Sequence, residues 1–179
     1  MIQTRQQLKE ILRYERNLYF SNKVEEYITS DNRVKIYRLV SFVRHLEYHH
    51  NNKGLVHKLF RLWYWRRKNI LGRKLGIEIW DNCFDVGLMI YHAGNIVVNG
   101  NAKIGKNCKL HGSNCIGNKG LEGNDCPVIG DNVRIGVGAK IIGGVKIANN
   151  VTIAAGAVVV NSFEEEGITI GGIPARRIK

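Results

Sequence analysis

The chain has 179 residues, 44% of them apolar, which suits a domain with a real core and excludes a disordered tail. Its apolar runs reach about five residues, far short of the roughly 20 that a membrane-crossing helix needs. Residues 1–20 are charged throughout and hold no apolar signal-peptide core, so a cytoplasmic location is the expectation. The net charge of +12 is uneven: residues 1–75 carry 17 Lys/Arg and 6 Asp/Glu (+11), residues 76–179 carry 10 and 9 (+1). This divides the chain into a basic N-terminal region, 1–75, and a near-neutral remainder, 76–179.

The first region reads as helices. Leu8, Ile11, Leu12, Leu18 and Tyr19 recur at helical spacing over 4–19, with Thr4 as N-cap. Ile36, Leu39, Val40, Val43 and Leu46 predict a second helix over 32–48 behind Asp31. Leu55, Leu59, Leu62, Trp63 and Trp65 predict a third over 54–71.

The second region changes period. Aliphatic residues fall six apart at Val98, Ile104, Leu110 and Ile116, and again at Ile129, Ile135, Ile141, Ile147, Ile153 and Val159. Small or modest residues follow four positions later, among them Ala102, Cys108, Asn114, Ala139 and Ala157. Six residues is a short strand plus a tight turn, and three such units make one triangular coil of a β-helix. The period carries no handedness. Two interruptions break it: two extra residues near Tyr91–Asn95, and a longer excursion over 118–126 expected to be a loop. The tail is expected to hold a loop at Ser162–Glu166 and a last strand at Ile168–Ile170.

Cys83, Cys108, Cys115 and Cys126 form no CxxC pair, and the first three read as small buried hydrophobes. His45 and His49 share a helix face without a carboxylate motif, so no metal is expected there. His92 stands at the first interruption, in GLMIYHAGNIVV, and an imidazole is suited to general-base work near neutral pH. Such a base is usually oriented by a carboxylate. Glu78, about one coil earlier, is the candidate, with Asp81 and Asp85 nearer in sequence but in turns. His111 lies inside a repeat and is read either as a site residue or as a turn cap.

Residues 76–179 resemble the serine acetyltransferase family and its relatives among the polysaccharide O-acetyltransferases, through GIEIWDNCFDVGLMIYHAGNIVVN, CPVIGDNVRIGVGAKIIGGVKIANNVTIAAGAVVV and GGIPARRIK. The resemblance implies a mainly β fold, a left-handed parallel β-helix with an α-helical N-terminal cap, assembled as a homotrimer. It implies His92 as catalytic base and Glu78 as its orienting carboxylate, and no metal. It implies acetyl-CoA as co-substrate, lying against Gly136, Val137, Gly138, Ala139, Ala154, Ala155 and Gly156, with Arg176, Arg177 and Lys179 toward its phosphates. Gly and Ala at those positions read equally as the small residues a coil corner needs. The chain departs from the serine enzymes where Tyr91 replaces an acidic residue before the histidine. It departs again where Asp125-Cys126-Pro127 replaces Arg-His-Pro. A zwitterion wants both an anion and a cation, so a sugar or glycan acceptor is the first expectation, free serine the alternative, and a non-catalytic scaffold or zinc-bearing carbonic anhydrase-like relative the rival. Tyr91, His111, Asp125 and Cys126 are the candidate acceptor-site residues, and Cys126 is also weighed as a nucleophile.

The run FRLWYWRRKNILGRK over 60–74 interleaves aromatics and cations. It reads as a solvated face or as a peripheral contact with the inner face of a membrane. No RNP, helix-turn-helix or zinc motif supports nucleic acid as a partner.

Overall fold

A computed structural model describes residues 1–20, 31–120 and 125–179. The described residues begin with α1 (Arg5–Tyr19), α2 (Asn32–His50) and α3 (Leu55–Leu75). Thr4 caps α1 in a reciprocal box with Gln7, and the Asp31 side chain accepts from Arg33 N at the head of α2. Gly76 ends α3 in the left-handed region, φ 64°, donating to Gly72 O. α3 runs past the expected residue 71, and its apolar stripe faces outward. Leu55, Leu59, Leu62, Trp63 and Trp65 are all exposed, whereas Lys68, Gly72 and Leu75 are buried. Aromatic contacts to α2 fix that choice: Tyr64 stacks on His45 at 4.6 Å and packs against Phe42.

Strands β1 to β14, numbered in chain order, follow. They build three parallel sheets that the chain visits in turn. The first holds β1 (Ile77–Glu78), β3 (Ile96–Val98), β6 (Cys115–Gly117), β9 (Lys140–Ile142) and β12 (Val158–Val159). The second holds β4 (Lys103–Ile104), β7 (Val128–Ile129) and β10 (Lys146–Ile147). The third holds β2 (Met89–Ile90), β5 (Lys109–Leu110), β8 (Arg134–Ile135), β11 (Thr152–Ile153) and β13 (Thr169–Gly172). Register stacks the six-residue repeat directly, with Ile90 beside Leu110, Leu110 beside Ile135, Ile135 beside Ile153, and Ile153 beside Ile170, all buried. Ala102, Cys108, Ala139 and Ala157 are buried as well, so small residues do close the corners. Cys83 and Cys108 are buried thiols, pushed up to about 11 and about 12 by burial; Cys115 is half-buried. The last strand begins one residue later than expected. A further strand, β14 (Ala175–Arg177), folds back antiparallel on β13. Of the loop expected over 118–126, residues 121–124 lie outside the described residues.

A β-helix ends in a coil whose backbone groups lack a neighbour, and buried orphans of this kind are costly. Here helix side chains supply the partners for residues 79–90. Lys68 Nζ donates to Ile79 O, and Asn82 N donates to Glu47. Arg44 donates to the carbonyls of Phe84 and Asp85, at 2.8 and 2.7 Å. Glu15 accepts from Gly87 N and Leu88 N, and the Tyr19 hydroxyl donates to Leu88 O and accepts from Ile90 N. Arg44, 2% exposed, joins the set by pairing with Glu15 at 2.7 Å and Glu47 at 2.9 Å. Replacing Arg44 by Met leaves two buried carboxylates without a cation and should cost about 3–5 kcal/mol. The measurement is the urea unfolding midpoint against the parent chain.

Candidate active site

His92 stands on the turn between β2 and β3, at the corner where the third sheet passes to the first. The two extra residues let this turn stand over the next coil, and both Tyr91 and His92 are exposed. Gly112 lies directly against it: a side chain there would start 3.2 Å from His92 Cβ. Backbone bonds carry the same corner onward through the stack. Ser113 N donates to Gly94 O, Gly138 N to Gly112 O, and Gly156 N to Val137 O. The segments expected to meet acetyl-CoA, Gly136–Ala139 and Ala154–Gly156, are therefore successive storeys of the corner that carries His92.

The glycines here fall into two kinds. At Gly136 a Cβ would sit 2.6 Å from Ala155 N, so coil packing alone demands glycine. At Gly156 it would meet nothing within 4 Å, and at Gly138 only Gly156, at 3.9 Å. Both have positive φ, 68° at Gly156 and 74° at Gly138. The corner between the second and third sheets meets the same backbone need with asparagine, at Asn107, Asn132 and Asn150, whose side chains bond one another in a ladder. Positive φ thus leaves the choice of glycine at 138 and 156 open, and the bare backbone there gives close approach to an extended ligand.

Tyr91 and His111 are brought together with His92. Their rings stack at 4.5 Å and 13°. The His111 imidazole is held below its ordinary range, first by burial and then by His92, Arg134 and Lys109. Tyr91, Lys109 and Arg134 also line a cleft of about 560 Å³ between the third sheet and α1, with Tyr14 and Leu18 on the helix side. One buried polar residue of this corner goes beyond the sequence reading, which takes Asn114 only as a corner filler. Asn114 is fully buried; its side chain accepts from Gly112 N at 3.0 Å and donates to Gly136 O at 2.7 Å. A polar residue at a position otherwise filled by Ala, Cys and Val is the signal that marks it.

Other candidates lie elsewhere. Glu78 is exposed on β1, paired in register with Val97, in a groove of about 900 Å³ between α3 and the first sheet. Its charge acts on Lys68, and no hydrogen bond joins it to His92 among the described residues. One coil of separation is right, but its strand belongs to the first sheet, past the corner. Asp81 pairs with His50, and Asp85 accepts from Val86 N. Asp125 and Cys126 precede β7, where Asp125 packs against Gly144 at a different corner. Burial and then Asp125 raise the Cys126 thiol above its ordinary range, which disfavours a thiolate nucleophile. Arg176 stands in register with Gly171 at the far end of the third sheet; Arg177 pairs with Glu165 at 2.8 Å, and the Lys179 carbonyl accepts from Thr169 N. His45 bonds Ser41 O and His49 meets His57. Among the described residues no group of three His, Cys, Asp or Glu is placed to hold a metal ion.

Residues 126–161 match the family model of the bacterial transferase hexapeptide (six repeats), and this chain carries the repeat that defines the hexapeptide acyltransferase superfamily. Beyond the repeat, the chain is similar to serine acetyltransferases. It is 34% identical over 136 residues to a serine acetyltransferase of Staphylococcus xylosus, an overlap of 70% of this chain and 60% of that protein. The chain thus spans about 60% of the length of the curated relatives it matches. A Neisseria gonorrhoeae serine acetyltransferase in complex with serine superposes with a TM-score of 0.70 at 25% identity, covering 96% of this chain and 69% of that one. A Brucella abortus serine acetyltransferase in complex with coenzyme A superposes with a TM-score of 0.72 at 25% identity, covering 96% and 66%.

Because the His92 charge is one cause of the low His111 value, His92→Ala should move the His111 titration midpoint upward. Proton NMR of the imidazole resonances reads this without any activity assay. An unmoved midpoint would separate the two rings.

Proposed function

We propose that this chain is an acetyl-CoA-dependent O-acetyltransferase on a left-handed parallel β-helix, with His92 as general base and a trimer as the working assembly. The single observation that carries the reading is the continuous corner from His92 through Gly112 and Gly138 to Gly156, which sets a base beside a strip of bare backbone. The relatives' complexes with coenzyme A support acetyl-CoA as the acyl donor. The donor would lie along Gly136–Ala139 and Ala154–Gly156, with Arg176 and Lys179 at the phosphate end. Arg177, held by Glu165, is the weaker candidate for that role.

In the reaction, His92 takes the proton of the acceptor hydroxyl as its oxygen attacks the thioester carbonyl carbon. The tetrahedral intermediate collapses with loss of the thiolate, and the imidazolium of His92 returns the proton to sulfur. The products are an acetyl ester and free coenzyme A. Backbone N–H groups of the corner are suited to the developing oxyanion. No hydrogen bond joins Glu78 to His92 among the described residues, so we assign positioning to the backbone corner, Asn114 and the Tyr91–His111 stack.

The comparisons favour serine as acceptor over the sugar expected from the sequence, because the relatives named above are serine acetyltransferases. Physical chemistry adds one argument. Lys109 and Arg134 put two cations beside His111, suited to the carboxylate of an amino acid. A sugar hydroxyl remains the second reading, carried by Tyr91 in place of an acidic residue for the ammonium.

Release of thiol from acetyl-CoA, with L-serine and a panel of sugars as acceptors, tests the assignment. His92→Ala should lower turnover by about 10²–10⁴-fold with the true acceptor; unchanged turnover would remove His92 from the mechanism. Gly156→Asn should leave thermal stability nearly unchanged, since asparagine serves equivalent φ at Asn132 and Asn150, while raising KM for acetyl-CoA. Equal KM in the two chains would place the donor elsewhere.

A further inference from the structure

The proposed reaction leaves a run of exposed apolar side chains on α3 unused. α3 turns its back on α2 and exposes a stripe at helical spacing, Leu55, Leu59 and Leu62, which are 73%, 59% and 58% exposed. Trp63 and Trp65 flank it, both exposed. The stripe then changes character: the next outward positions are Arg66 and Arg73, with Lys74 beside them. The 21 residues of α3 contain seven Lys/Arg and no Asp or Glu. Patches of exposed large apolar side chains are uncommon on isolated soluble chains and mark contact surfaces.

We infer that the outward face of α3 docks the protein on an anionic lipid surface. Charge decides the occupant. A second copy would bring the same basic region, +11 over residues 1–75, against itself, whereas an anionic bilayer offers the opposite sign to the arginines and an apolar phase to the leucines. The chemistry is graded along the helix: Leu55, Leu59 and Leu62 in the N-terminal half, beside Lys58 and Arg61, to enter the headgroup boundary, tryptophans at the margin, and the denser cations of the C-terminal half to meet phosphates. Arg67 lies over the Trp63 ring at 5.3 Å, which ties a cation to the aromatic margin. Among the described residues no helix is long and apolar enough to cross a membrane, so the contact is peripheral. This inference is independent of the acceptor and of the reaction.

The test uses the full chain with vesicles of phosphatidylcholine alone and of phosphatidylcholine and phosphatidylglycerol in equal parts, read by co-sedimentation and tryptophan emission. Binding to the anionic vesicles only, weakened by salt and accompanied by a blue shift, is the expected result. R66E/R73E should lower the partition coefficient by about fivefold or more for each residue changed. L55S/L59S/L62S should abolish the blue shift. All five positions are exposed, and thermal unfolding and sedimentation velocity of each variant verify the fold. Three results overturn the inference: no binding to anionic vesicles at low salt, binding by both variants equal to the parent, or a concentration-dependent oligomer of the parent that the leucine variant dissolves, which would make the face a contact between copies.

Discussion

The unpaired edge of the first coil is the constraint on which the rest depends. A parallel solenoid satisfies each coil with the next, and at its beginning there is no next coil. Backbone groups between Ile79 and Ile90 are met instead by Lys68, Glu47, Arg44, Glu15 and Tyr19, drawn from all three described helices. Two buried carboxylates are tolerable there because one guanidinium binds both and still has donors for two carbonyls. Burial favours protonation of Glu47 while Arg44 opposes it, and the ion pair and the coil edge therefore stand or fall together. The strand that leads into His92 begins inside this network, so the helices set the foundation of the candidate site, and α1 walls the cleft beside Tyr91.

Two corners of the same coil solve one backbone problem with different residues. Asparagine fills the corner between the second and third sheets, and its side chains interlock from Tyr14 through Asn107 and Asn132 to Asn150. Under His92 the equivalent positions are Ser113, Gly138 and Gly156, and the two glycines leave main chain bare. The first corner carries side chains along its whole ladder; the second is bare at two storeys. A functional reading of small residues becomes defensible through that contrast within one molecule, where composition alone leaves it undecided.

Much of the coil was legible because the six-residue period states both the inward residue and the corner residue, and Val98 through Val159 stand where it puts them. The helices were legible from their caps, Thr4 and Asp31. The face of α3 was not. Its apolar stripe signals a buried side by every helical-wheel argument, but Tyr64, Lys68 and Leu75 took the inner side through aromatic stacking and a lysine bond that periodicity does not encode. Glu78 was legible only as far as its coil: counting residues along the chain does not name the sheet, and its strand stands in register with Val97 on the first sheet. Asn114 and His111 needed the stack itself, since their partners lie 22 residues on and 20 residues back.

At the other end, β14 turns back antiparallel along β13, so the third sheet finishes in a strand of opposite direction. A copy arriving end-on would find helices at one extremity and, on that sheet, a reversed strand at the other in place of a parallel template. The third sheet is thereby capped against growth copy upon copy, which sets a limit on a chain built from stacked edges.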